Sequence, residues 1–233
     1  MAIWLLQITE TANTMAEGMG DVVQEEKTLS IFSLLLKGGW VMIPLAILSL
    51  LAVYIFVERM LAIRKASDED THFMNNIRDF IHDGRVDSAK ELCKRTDNPI
   101  ARMIEKGISR LGRPLSDIST AIENVARLEV FKLEKTLATM ATIAGAAPML
   151  GFLGTVIGMI RAFHNMATGG ANIEVNALAG GIYEAMVTTA AGLTIGIVAY
   201  VGYNILVSRV EKMVNKMEAR SIEFLDVLHE PAK

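Results

Sequence analysis

The sequence predicts an all-α integral membrane protein: three transmembrane helices with long cytoplasmic helical extensions. Three observations lead there. Of the 233 residues, 52% are hydrophobic and the mean hydropathy is +0.36, more apolar mass than a soluble domain of this length needs. Three stretches are long enough to cross a hydrocarbon core, which takes about 20 apolar residues as a helix. The segments outside them carry apolar stripes at helical spacing with polar residues opposite.

Taken in order, residues 1–37 read as an extracytoplasmic segment. MAIWLLQITETAN has no basic region and too short an apolar run for a signal peptide. Glu10, Glu17, Asp21, Glu25 and Glu26 outweigh Lys27, and an interfacial turn is expected around Trp4 and Leu5. The first span, 38–63, contains WVMIPLAILSLLAVYIFV and closes on Glu58-Arg59.

The polar segment 64–135 is rich in Lys and Arg and should be cytoplasmic, because positive charge stays on that side. Phe73, Ile77, Phe80 and Ile81 form one apolar face, stopped by Gly84. Val86, Ala89 and Leu92 form a second, broken at Asn98-Pro99, where proline disfavours helix in the residue before it. Ile100, Met103 and Ile104 open a third that ends near Gly112-Arg113-Pro114. Ile118, Ile122, Val125 and Leu128 continue a stripe with no breaker ahead of the second span, so one unbroken helix is expected to run into it.

The second span, 136–166, reads LATMATIAGAAPMLGFLGTVIGMIRAF from Leu137. Gly154 and Gly158 make a GxxxG pattern, which permits close helix approach. Pro148 loosens the backbone ladder, tolerable only against protein. A short periplasmic loop, 167–178, carries no Lys or Arg. The third span, 179–208, leads into a cytoplasmic tail, 209–233, where Val207, Val210, Val214, Met217, Phe224 and Leu228 fall on a helical stripe that needs a partner helix. The N-terminus is thus outside and the C-terminus inside.

Polar groups within the spans raise the question of function. Glu184 heads AGGIYEAMVTTAAGLTIGIVAYVGYNILV, and Thr188, Thr189 and Thr194 follow it. An ionisable group deep in a span costs roughly 2.5–3.5 kcal/mol and is by default a functional candidate. Glu184 either faces a bundle interior or sits at the outer interface beside Tyr183 and reaches water. A lone threonine can bond its own i−4 carbonyl and needs no function. Thr155, Thr188, Thr189 and Thr194 on two spans together read as a polar lining. Thr188 lies one turn from Glu184 and shares its face.

Other chemistry is thin. A net charge of −3 argues against a nucleic-acid partner, and membrane lipid is the expected surroundings. The single Cys93 excludes an internal disulfide and reads as a packed thiol. The four histidines stand apart, with no HExxH, P-loop or GxSxG, so no metal, cofactor or enzymatic activity is expected. Between Ala185 and Val207 no carboxylate, histidine or lysine occurs, so this chain alone offers no continuous proton relay.

PMLGFLGTVIGMIRAF, a short loop free of basic residues, and then GIYEAMVTTAAGLTIGIVAYVGYN together resemble the proton-channel family of ExbB, TolQ and MotA, with ExbB the nearest in pattern. The loop stretch SAKELCKRTDNPIARMI is similar as well, and the resemblance covers roughly 35–230. It implies an energy-transducing subunit of a bacterial inner-membrane motor. Such subunits form a homo-pentamer around an ExbD-like single-span partner whose aspartate carries the proton, and pass work to a TonB-like protein. On that resemblance Thr155, Glu184 and Thr189 match pore-lining positions, with Thr188 beside them. A TolQ-like or motility stator role, or a non-conducting scaffold, is the alternative.

The charge asymmetry makes a testable prediction. In detergent-free spheroplasts, Asn172→Cys and Glu17→Cys should react with an impermeant thiol reagent from outside, and Asp97→Cys should not. Reversed labelling would overturn the topology.

Overall fold

The computed structural model describes residues 38–67, 72–168 and 175–229, all within one unit, Gly38–Lys233. The expected interfacial turn at Trp4 and Leu5 lies outside the described residues. Those described form seven helices and no strand: α1 (Met42–Ser67), α2 (Phe73–His82), α3 (Val86–Arg95), α4 (Pro99–Ile108), α5 (Leu115–Glu134), α6 (Leu137–Thr168) and α7 (Val175–His229). Three helical stretches are long and apolar enough to cross a membrane: α1, the α5–α6 stretch through its α6 part, and α7.

The breaks follow local chemistry. α2 ends in a left-handed glycine: Gly84 has φ +74°, its N–H donates to the Ile81 carbonyl at 3.1 Å, and the Arg85 N–H reaches back to Phe80 at 2.8 Å. This pattern satisfies carbonyls that a helix end leaves without partners. α4 opens on Asn98, whose side chain accepts from the Ala101 N–H at 2.7 Å, with Pro99 at the first helical position.

One expectation fails. The helix through Ile118 and Leu128 does not run unbroken into the second span: it stops at Glu134, and Thr136 adopts φ +70°. The orphaned end finds a distant partner, since Arg59 of α1 donates Nη1 to the Lys132 carbonyl at 3.0 Å.

Beyond the apolar spans, α2–α5 and the tail of α7 enclose an apolar core around Phe73, Ile77, Ile100, Met103, Ile122 and Phe224. The tail stripe runs through Leu206, Val210, Met213, Met217, Phe224 and Val227. Val207, Val214 and Leu228 sit at its margin. Its partner is this chain's own bundle of α2–α5: Phe224 and Ile122 close over Gly107, where a Cβ would lie 2.6 Å from the Phe224 ring. A charge network ties the bundle together. Glu129, 4% exposed, accepts from Arg102 at 2.8 Å and Lys132 at 2.7 Å, while Asp97 accepts from Arg102 at 2.8 Å and Lys65 at 2.9 Å. Lys65, and then Arg102, hold the Asp97 carboxyl below the usual carboxylate range.

Within the membrane the contact between α6 and α7 is nearly backbone to backbone. A Cβ at Gly151 would lie 2.9 Å from the Thr188 carbonyl oxygen and 3.1 Å from the Gly192 Cα. Gly158 faces Ala185, Gly181 faces Ala162, and Gly196 faces Pro148. The proline thus rests on the helix that would otherwise meet its bulk, as protein contact at a broken ladder requires.

Two predictions follow from this packing. Gly151→Ala should lower the thermal stability of the extracted protein by about 1–3 kcal/mol, because only backbone could move aside. Gly145→Ala, with nothing within 4 Å of its Cβ, should leave it unchanged or raised. Equal effects would refute the backbone contact. Cys93, buried on α3, has its thiol pushed up from 9.0 to about 12, first by burial and then by Glu105. It should resist maleimide at about pH 8, where a free thiol reacts, and label once the chain unfolds. Its raised value means that any stability it lends is complete below the free-thiol value and fades as pH climbs toward the folded one.

Candidate functional site

The antiparallel register of α6 on α7 decides which polar groups meet. Thr155 and Thr189 do: their hydroxyl oxygens stand 3.3 Å apart. The Thr155 hydroxyl donates to the Phe152 carbonyl at 2.5 Å, and Thr189 lies 3.1 Å from the Gly151 carbonyl as well as within reach of Thr155. The Thr155 proton is thus aimed at its own helix, and the Thr189 proton crosses the seam to α6. The lone pairs are left to receive a donor from elsewhere, and a hydroxyl that rotates can donate instead.

Thr155 opens into a shallow apolar depression of about 570 Å³ with Phe152, Val156, Met159, Ile160 and Phe163. Phe152, Ile160 and Phe163 are exposed on this face. Hydroxyls at the edge of an apolar surface make a site in which a hydrogen bond is worth more than in water.

Thr188 lies elsewhere. It is 1% exposed, donates to the Ala185 carbonyl at 2.8 Å, and its hydroxyl and Cβ occupy the space a side chain at Gly154 would take. It acts as a knob in the seam. Thr194 is exposed and bonded to its own helix at Ala190, 2.8 Å away.

Glu184 is turned away from the hydroxyl pair. Five residues separate it from Thr189, roughly 140° around a helix, against roughly 40° to Thr188. Its carboxylate points at the head of the first span, where Gly39 at φ +67° leaves it room, and Arg161 of α6 stands 3.5 Å from its Oε1. The glutamate side chain is 28% exposed and the arginine 52%. Arg161 was missed on reading the sequence for function. The signal was there, a guanidinium inside an apolar span, which marks a group needing a partner.

Among the described residues no group of three or more His, Cys, Asp or Glu side chains is placed to hold a metal ion. What the site offers is hydrogen bonding from two paired hydroxyls at the edge of an apolar surface.

Comparison with known proteins agrees with this chemistry. The sequence pattern described as the MotA/TolQ/ExbB proton channel family matches residues 95–219, more than half of the chain. An ExbB-like biopolymer transport protein of Synechocystis is 30% identical over 84% of this chain and 80% of its own length. Biopolymer transport protein ExbB of Neisseria meningitidis is 26% identical over 71% of this chain and 80% of its own. The Tol-Pal system protein TolQ of Pseudomonas aeruginosa is 31% identical over 57% of this chain and 62% of its own. With a continuous helical scaffold, apolar spans and a hydroxyl pair between two of them, the chain belongs to the MotA/TolQ/ExbB proton channel family.

Proposed function

We propose that this chain is the ExbB-like subunit of an inner-membrane motor driven by proton-motive force. Five copies surround a pair of ExbD-like single-span partners, and the work passes to a TonB-like protein for outer-membrane transport. The observation that carries the reading is the Thr155–Thr189 pair. This chain brings no acid to it, and a partner carboxyl supplies one.

The chemistry is then simple. A protonated carboxyl donates to a hydroxyl lone pair. Once it loses its proton, the same hydroxyls rotate and donate to the carboxylate, so both states of the carrier are held at membrane depth. Hydrogen bonds to a charged group contribute about 1.5–3 kcal/mol each. One charge crossing about 100 mV supplies about 2.3 kcal/mol, so the bonds and the driving force are of one size and neither traps the carrier. In this reading Thr188, buried in the seam, and Glu184, partly exposed beside Arg161, stand outside this exchange.

A TolQ-like role in envelope maintenance is the second reading, favoured by the likeness to the Pseudomonas protein. A neighbouring gene for a TonB-like protein or an outer-membrane receptor would decide for the first.

Thr155→Ala and Thr189→Ala should each leave a folded oligomer and lower energy-dependent uptake roughly tenfold to a hundredfold in a strain lacking the native gene. Thr155→Ser should retain uptake because it keeps the hydroxyl. Full uptake in the double alanine variant would reduce the pair to packing and return the chain to a non-conducting scaffold.

A further inference from the structure

The seam between α6 and α7 has a weakness. Gly151, Gly154, Gly158 and Ala162 recur along one helix at intervals of one turn, and Gly181, Ala185, Thr188 and Gly192 recur along the other. Sliding α7 by a turn, about 5.4 Å, would set small residues against small residues again. Close packing holds the helices together and distinguishes poorly between these registers. One-turn shifts of one packed element past another are a known kind of transition.

We propose that Arg161 is a positioning residue that fixes this register: its pairing with Glu184 admits a single alignment of α7 on α6. The inference rests on reading the Thr155–Thr189 pair as functional, since that pair is what the register creates.

Three elements meet at the lock. α6 supplies the guanidinium, α7 supplies the carboxylate 3.5 Å away, and the chain leading into α1 supplies the vacancy over Gly39. Of the groups around the carboxylate, Arg161 is the charged one from α6, and Gly38-Gly39-Trp40-Val41 bring none. His164, three residues beyond Arg161, is exposed. Eight residues of this seam, in four pairs, share the lock's alignment. Gly158 meets Ala185, Gly154 meets Thr188, Thr155 meets Thr189, and Gly151 meets Gly192.

A slip of one turn would carry Glu184 away from both Arg161 and Gly39. The pair is partly exposed, so its contribution is smaller than a buried pair's, but a slip would still part its two charges while small residues met small residues again along the seam. Among the small residues of the seam the discrimination therefore comes from the charges, in addition to the seating of the same helix at Phe224 over Gly107. Fixing register is the best-attested use of a polar group in an otherwise apolar helix interface.

Cysteine pairs can read the register directly, and buried Cys93 leaves the background quiet. In the full complex with its one-span partner, Thr155→Cys with Thr189→Cys should form a disulfide rapidly. Thr155→Cys with Leu193→Cys, one turn displaced, should not. Adding Arg161→Gln should slow the first pair several-fold and let the second appear. Glu184→Gln, which keeps size, should do the same, and the exchange Arg161→Glu with Glu184→Arg should restore the original pattern. Unchanged cross-linking in both single variants overturns the proposal, as does an exchange that fails to restore it in a protein with normal thermal stability. This readout does not depend on proton flux. If cross-linking behaves as stated while the Thr155→Ala, Thr189→Ala variant still works, the lock stands and the proposed role of the hydroxyl pair falls.

Discussion

Almost everything in the membrane half of this protein depends on how closely α6 and α7 approach. Lipid tails are as apolar as leucine, so no hydrophobic force draws two spans together, and the attraction must come from contact itself. Here a Cβ at Gly192 would lie 2.6 Å from the Ala147 carbonyl and 2.8 Å from the Gly151 Cα, so the backbones touch. Only at that separation can a threonine on one helix reach a carbonyl on the other, as Thr189 does at 3.1 Å. The same approach buries Thr188 and gives Pro148 its resting place. The glycines thus determine the polar chemistry, although they take no part in it.

Charge is handled differently on the two sides of the apolar zone. In the bundle beyond the spans Glu129 is buried with two cations on it, and Asp97 bridges Arg102 to Lys65. This joins α1, α4 and α5 through a chain of ion pairs that a neutral core would not specify. A buried pair of this kind contributes little net stability, because desolvation offsets much of the attraction. Its effect lies in how few arrangements satisfy every member. At the opposite end the single Arg161–Glu184 contact plays the corresponding part with far fewer groups.

Most of the architecture was legible in the sequence because its punctuation is local. Gly84, Asn98-Pro99 and Gly112 act through their own backbone preferences: Gly84 follows the end of α2, Asn98-Pro99 opens α4, and Gly112 lies in the turn between α4 and α5. The break at Lys135-Thr136 was not legible. A β-branched residue is a poor candidate for a left-handed conformation, and the partner of the freed carbonyl, Arg59, lies far away in the chain. Three of the expected tail positions, Val210, Met217 and Phe224, are buried, but the stripe follows the true pitch through Met213 and Val227 and leaves Val207, Val214 and Leu228 at the edge. The four span threonines looked alike in the sequence. What separates the Thr155–Thr189 pair from buried Thr188 and exposed Thr194 is the alignment of two helices, which no single helical stripe encodes.

The unequal construction of the two long helices has a mechanical consequence. α7 runs 55 residues without interruption, a rod of about 80 Å. Its neighbour is jointed at Thr136, where α5 gives way to α6. One helix axis carries both Thr189 and Phe224, about 52 Å apart, whereas α5 and α6 have two axes that meet at Lys135-Thr136. Thr189 in the seam and Phe224 in the core beyond the spans therefore share one unbroken rod, while Thr155 and Ile122, their neighbours, sit on two separate helices.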